Sequence, residues 1–196
     1  MNAAWFEQLA VQALALPPWP DPRFPPSPYY RFLRLLAANA HPALSVELGV
    51  SGGGASFHLA VGWPDGQVVG VENADGSDFE RENWQHVAER CPNWTLWRGD
   101  SVDGAPEIAK VYGEVDILFV DTVHTIERTV AEWRAWEPFM AGTAVICLDD
   151  LHRPGMQEAW DWLPWEKVRL DDLHPGGNGD GGFGVAWRSQ DSWDLP

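Results

Sequence analysis

Residues 43–56 read ALSVELGVSGGGAS, and this stretch decides the fold. Its first half, residues 44–50, is apolar apart from Ser45, Glu47 and Gly49, with β-branched Val46 and Val50. A short apolar run that stops at glycines reads as a buried parallel strand. Gly52, Gly53 and Gly54 follow, and then a mostly apolar run, residues 55–61, able to start a helix. Strand, glycine turn and helix form the ligand-cradling unit of doubly wound α/β folds, because glycine lets the chain turn sharply and lets a ligand approach main-chain N–H groups.

The spacing within the turn narrows the ligand. A dinucleotide fingerprint counted from Gly49 needs glycine at position 51, where this chain has Ser51. A phosphate-binding Walker loop needs Gly-Lys-Ser/Thr, and the stretch has no lysine. What stands out is an acidic residue two positions before the first glycine, in Glu47-Leu48-Gly49-Val50-Ser51-Gly52-Gly53. Taken alone, such a turn also serves as a plain tight βα connection.

The chain of 196 residues suits one domain with a single core, and its 45% hydrophobic content is that of a globular protein. A net charge of −16, from 29 acidic against 13 basic residues, repels phosphate backbones and anionic lipid surfaces, so neither nucleic acid nor membrane is expected as a partner. No secretory pattern and no membrane-length apolar run is read, and the expectation is a soluble, cytoplasmic protein. Cys91 and Cys147 give neither a disulfide framework nor a zinc-ligand spacing. Thirteen tryptophans exceed the usual share, mostly as packing, with some able to wall an aromatic site.

Outward from the glycine turn, residues 1–16 read as a helix with an imperfect apolar stripe. Seven prolines between Pro17 and Pro28 then enforce an extended crossing segment. A second helix follows at residues 28–40. Residues 1–41 thus form an N-terminal helical cap before the main domain, residues 42–196. Downstream, QVVGVE at residues 67–72 reads as the second parallel strand, ending on Glu72, about 20 residues beyond the glycine turn. A carboxylate there can accept both ribose hydroxyls of a nucleoside cofactor, S-adenosylmethionine or NAD alike; the plain alternative is a solvated strand end. Residues 78–90 read as a helix with Phe79, Trp84 and Val87 inward, and residues 94–97 as a short strand. Asp100 and Ser101 follow, placed either to meet an adenine or to cap a helix starting near Ser101.

Residues 115–155 carry the second signal, VDILFVDTVHTIERTVAEWRAWEPFMAGTAVICLDDLHRPG. A strand over residues 115–120 ends on Asp121, a helix follows over residues 126–136, Gly142 turns the chain, and a strand over residues 144–148 ends on Asp149-Asp150. Three carboxylates at the carboxyl ends of neighbouring strands repel one another unless a cation lies between them, and a hard divalent ion such as Mg²⁺ takes such oxygen ligands. The bland alternatives are a helix cap at Asp121 and one solvated aspartate at 149 or 150. His124, three residues after Asp121, titrates near neutrality and can take a proton from a hydroxyl; otherwise it is a helix-start histidine with a backbone or carboxylate partner. His152 is a rival base or a fourth ligand. After a short helix at residues 156–163, strands are expected at residues 165–170 and 183–187. Between them the glycine-rich DDLHPGGNGDGG, residues 171–182, reads as a loose hairpin loop or a mobile lid, with Asp171, Asp172 and His174 facing substrate.

Taken together, Glu47 to Gly53, Glu72, and the run Asp121, His124, Asp149 and Asp150 resemble the class I S-adenosylmethionine-dependent methyltransferases. Within them the resemblance is to the metal-dependent small-molecule O-methyltransferases of the catechol and macrolide-sugar type, over roughly residues 43–152. It implies a doubly wound, mostly parallel seven-stranded α/β sheet. It implies S-adenosylmethionine held by Glu47, Gly49, Ser51, Gly53, Glu72, Asp100, Ser101 and Asp121. It also implies Mg²⁺ or another divalent cation on Asp121, Asp149 and Asp150, and His124 as general base. The partner is then a small-molecule hydroxyl acceptor, a catechol, vicinal diol or sugar, and a homo-oligomer stays open. The chain departs from many relatives at Thr122-Val123, where they have Gly-Asp, which bears on the acceptor class. Metal-independent methylation, an NAD-dependent oxidoreductase and a non-catalytic cofactor-binding protein are the competing expectations, since a fold alone does not set its chemistry.

Overall fold

The computed structural model describes residues 1–24, 27–176 and 180–188. Helices α1 (Ala3–Ala15) and α2 (Pro28–Ala40) precede β1 (Leu44–Leu48), α3 (Gly54–Gly62), β2 (Gln67–Glu72), α4 (Asp78–Arg90) and β3 (Trp94–Arg98). Then come α5 (Gly104–Tyr112), β4 (Val115–Val120), α6 (Ile126–Trp136), β5 (Met140–Leu148), α7 (Met156–Trp162), β6 (Glu166–Arg169) and β7 (Gly184–Trp187). The strands form one seven-stranded sheet in the order β3-β2-β1-β4-β5-β7-β6, with β7 antiparallel to both its neighbours. The expected α/β sheet is present, mostly parallel.

The order of strands creates the site. From β1 the chain winds outward through β2 and β3, then returns to lay β4 on the other side of β1. That reversal opens a crevice at the carboxyl ends of β1 and β4, where ligands bind in doubly wound sheets. Alternation of side chains sends β1 to two cores. Leu44, Val46 and Leu48 pack with Ile108, Trp133 and Trp136 beneath α5, α6 and α7. The intervening Ser45 and Glu47 are buried polar residues pointing to the opposite face, where α1, α2 and α3 cover the sheet. The helical cap shares that second core: Phe6 of α1 lies 4.9 Å from the Trp187 ring, and Arg31 of α2 donates to the Ala13 carbonyl at 2.8 Å. The proline-rich segment is anchored by Phe24 stacked on Phe57 at 4.4 Å and by Asp21 against His86 at 2.8 Å.

Several local expectations need correction. Phe79, in the first turn of α4, is 61% exposed, and Asn83 joins Trp84 and Val87 on the inner face. Helix α5 starts at Gly104, three residues later than expected, since the Asp100 carboxylate caps a turn at the Val102 N–H (2.9 Å) first. Gly142 lies inside β5, within the register irregularity that separates the Val115–Met140 and Ile117–Val145 pairs. On α6, helical spacing sets Ile126, Val130, Trp133 and Trp136 toward the sheet; Trp133 and Trp136 are buried, but Ile126 and Val130 are only half-buried, and Thr129 and Glu132 take buried positions. Among the described residues no helix is long and apolar enough to cross a membrane.

Candidate active site

The glycine turn is held by carboxylates from below. Gly49 (φ +84°) and Gly53 (φ +76°) adopt left-handed backbone that side chains disfavour. A Cβ on Gly49 would stand 2.1 Å from the Asp121 carbonyl oxygen, so only glycine lets β1 and β4 close this tightly. Glu72, at the end of β2, accepts the Val50 and Ser51 N–H groups on Oε2 (3.1 and 3.2 Å) and Ala74 N–H on Oε1 (2.9 Å). Glu47, buried under α3, accepts the Ser56 N–H at 2.8 Å and the Ser56 hydroxyl on the same oxygen. Burial pushes its carboxyl up to about 8, reinforced by the charges of Asp121 and Glu72 and opposed by the Ser56 bonds. From outside, Trp84 donates its indole N–H to the Ser51 carbonyl at 2.6 Å.

Above the turn lies a cleft of about 380 Å³ lined by Gly49, Ser51, Glu72, Ser101, Asp121 and Arg128, among others. Of the residues expected to hold a cofactor, these first five face it, whereas Glu47, Gly53 and Asp100 do not line it. Sequence reading missed Arg128 and the residue that fixes it, Glu132. Fully buried on α6, Glu132 accepts the Ser101 hydroxyl, the Thr122 hydroxyl (2.9 Å) and Arg128 Nε (2.9 Å). The guanidinium of Arg128 also pairs with Asp100 at 3.0 Å. The Asp100 and Ser101 side chains therefore tie the β3–α5 turn to α6. The available signal was the (i, i+4) spacing of Arg128 and Glu132 on a helix that starts beside the crevice.

The acidic cluster adjoins the cleft through Asp121. Pairing of Val120 with Leu148 sets the ends of β4 and β5 side by side, so Asp121 and Asp149 emerge from neighbouring strands. His124 Nε2 stands 3.2 Å from Asp121 Oδ1 and 3.4 Å from Asp150 Oδ2, bridging the two. Asp150 is itself left-handed (φ 56°), and its Oδ2 also meets Arg153 Nε at 2.5 Å while Oδ1 accepts the Gly181 N–H at 2.8 Å. His174 Nδ1 lies 2.7 Å from Asp149 Oδ1. Burial raises the Asp149 carboxyl above its usual range, helped by the charge of Asp121, and the bond to Asp149 raises the His174 imidazole. One donor atom each from Asp149, Asp150 and His174 lies within 4.8 Å of the others, a compact set whose chemistry fits a divalent cation. Asp121 is not part of this compact set, though its charge acts on Asp149 and its carboxylate meets His124. His152 is turned away, 3.6 Å from Asp171, which in turn pairs with Arg169 at 3.0 Å. Residues 177–179, central to the lid expectation, lie outside the described residues.

A doubly wound sheet with a cleft at the β1/β4 crevice and an acidic, histidine-bearing cluster beside it has the architecture of the α/β proteins that bind ligands at such a crevice. Residues 46–151, more than half of the chain, match a family model described as a methyltransferase domain, and the chain belongs to that family. No curated protein matches it. Among solved structures, the fold is similar to that of the cofactor-bound Rv0187 from MTB, with 23% identity, a TM-score of 0.69, and 94% of this chain and 88% of that one covered. It is similar too to an O-methyltransferase from Bacillus cereus in complex with SAH (19% identity, TM-score 0.68, 96% and 92% covered). The O-methyltransferase TomG from Streptomyces achromogenes, involved in tomaymycin synthesis and in complex with SAM, is a third (19% identity, TM-score 0.67, 96% and 91% covered).

Proposed function

We propose that the protein transfers a methyl group from S-adenosylmethionine to a hydroxyl of a small molecule, with a divalent cation at Asp121, Asp149 and Asp150 and His124 as general base. The observation that carries the reading is the position of Asp121. Its residue lines the cleft above the glycine turn, and its carboxylate touches His124, so one side chain joins the cofactor half to the acidic half. The solved O-methyltransferases of this fold, bound to SAH and SAM, support the cofactor assignment.

The residues divide the work as follows. The Gly49–Ser51 backbone and Glu72 shape the floor for the cofactor, with Ser101 and Arg128 forming the opposite wall. His124 is the base of this reading, and the carboxylates of Asp121 and Asp150 on either side of its Nε2 orient the ring. A bound divalent cation supplies Lewis-acid stabilisation of the acceptor oxygen as it loses its proton. Holding acceptor and methyl donor in line is the larger contribution of the fold. With its ring of aspartates and a net charge of −16, the site favours neutral or cationic acceptors, such as diols, catechols and sugars.

A second reading rests on Arg153. Its 2.5 Å contact with Asp150 already offsets part of the acidic charge with a protein cation, which suits metal-independent transfer. Calorimetry with S-adenosylmethionine, followed by radiolabelled methyl transfer to a panel of catechols and sugars with and without chelator, separates the two. Binding and transfer that stops on chelation supports the first reading; transfer that survives chelation supports the second. Absence of S-adenosylmethionine binding removes both.

A further inference from the structure

Sequence reading draws the cation ligands from the ends of β4 and β5, the three aspartates with His152 as the alternative fourth. The chain adds another group from 24 residues beyond Asp150. Strand β7 runs back between β5 and β6, and the residues leading into it are zipped along the acidic turn: Leu151 N–H to Gly182 O (3.1 Å), His152 N–H to Gly181 O (2.8 Å) and Gly182 N–H to His174 O (2.7 Å). Packing against the Tyr29 ring of α2, at 5.1 Å between centroids, fixes the imidazole from the other side.

The donor spacing is that of ligands around one ion. Bonds of about 2.1 Å place cis donors about 3.0 Å apart and trans donors about 4.2 Å apart. His174 Nδ1 lies 2.7 Å from Asp149 Oδ1 and 3.9 Å from Asp150 Oδ1. Arg153 and His124 occupy the Oδ2 side of Asp150. Oδ1, which accepts the Gly181 N–H, therefore keeps a lone pair on the side of His174. We propose that His174 Nδ1 is a nitrogen ligand completing the cation site with Asp149 and Asp150, so that the site selects borderline first-row ions such as Mn²⁺ or Co²⁺ over Mg²⁺. The inference rests on the reading above that a divalent cation belongs here and specifies which ion. An imidazole adds affinity for transition ions and little for Mg²⁺, which keeps to oxygen donors and water.

The test is titration of the purified full chain with Mn²⁺, Co²⁺ and Mg²⁺ by calorimetry, alongside a three-pulse electron spin-echo measurement on the Mn²⁺ form. The expected result is at least about tenfold tighter binding of Mn²⁺ and Co²⁺ than of Mg²⁺, with nitrogen coupling to the manganese. His174→Ala should lower the affinity for Mn²⁺ and Co²⁺ by about tenfold or more and that for Mg²⁺ by less than about threefold. If that variant is insoluble, loss of the nitrogen coupling in His174→Gln but not in His124→Gln decides instead. Equal weakening of all three ions, or an unchanged nitrogen signal, overturns the proposal. Failure of the wild-type chain to bind any of the ions also overturns it and removes the cation from the mechanism; S-adenosylmethionine calorimetry then shows separately whether the methyltransferase reading stands.

Discussion

The two halves of the crevice are built from different materials. On the β1–β2 side the working surface is main chain: left-handed glycines and N–H groups collected by Glu72, with Glu47 buried beneath to anchor α3. On the β4–β5 side it is side chains: three aspartates, two histidines and an arginine drawn from three segments of the chain. Backbone surfaces recognise what every member of a fold shares, because they depend on strand geometry. Side-chain surfaces recognise what is particular, because each group is exchanged without moving a strand. The first half is thus suited to a common cofactor and the second to the protein's own acceptor.

The contrast breaks most visibly at Gly49. Alanine there meets the Asp121 carbonyl at 2.1 Å and must also hold φ near +84°, so β1 and β4 have to part. We expect a loss of roughly 3–5 kcal/mol of stability and, for a chain of this length, a fall in melting temperature of about 10 °C. Calorimetric melting measures it. An unchanged melting temperature with intact S-adenosylmethionine binding would show that the two halves do not depend on this closure.

Asp121→Asn tests the join from the other side. The amide keeps the size and the strand-end position of Asp121, and Asp121 meets β1 through its own N–H, which donates to the Leu48 carbonyl at 3.0 Å. Turnover should fall about 10²–10³-fold while S-adenosylmethionine affinity changes little, because the lost charge faces His124 and the developing imidazolium. Equal losses in both measurements would place Asp121 in the cofactor half only.

The same contrast explains what was legible in the sequence. Backbone devices leave local marks: the glycine cluster after a β-branched run, Glu72 ending an apolar strand, and aspartates closing two more. From those marks the sheet, its mostly parallel character and the placing of Asp121 and Asp149 at neighbouring strand ends all follow. Side-chain assemblies leave marks only where spacing is short, as between Asp121 and His124. His174 meets Asp149 because β7 inserts between β5 and β6, a pairing no local pattern encodes. Glu132 is one of several charges along α6, yet it is fully buried, since α6 turns that position toward the β3–α5 turn. Phe79 misled in the opposite direction, an apolar residue in the first turn of α4 that stays exposed.

The smallest effect sharpens the contrast through pH. If Glu47 serves to anchor the backbone and not to contact the acceptor, its charge is a liability that the fold carries. Its folded pKa is raised from 4.5 to about 8, chiefly by burial, so the native state holds the proton that the unfolded chain releases. The stability this group confers is complete below about pH 4.5 and is lost as pH climbs towards 8, with a slope of at most about 1.4 kcal/mol per pH unit. Glutamine keeps an acceptor oxygen for the Ser56 N–H and hydroxyl and cannot ionise. Glu47→Gln should therefore flatten the decline in stability between pH 5 and 8, measured by urea denaturation at each pH, and gain on the wild type most at the alkaline end. A parallel decline in both proteins would mean that Glu47 is already ionised in the fold, and that the glycine half, like the acidic half, carries a working charge.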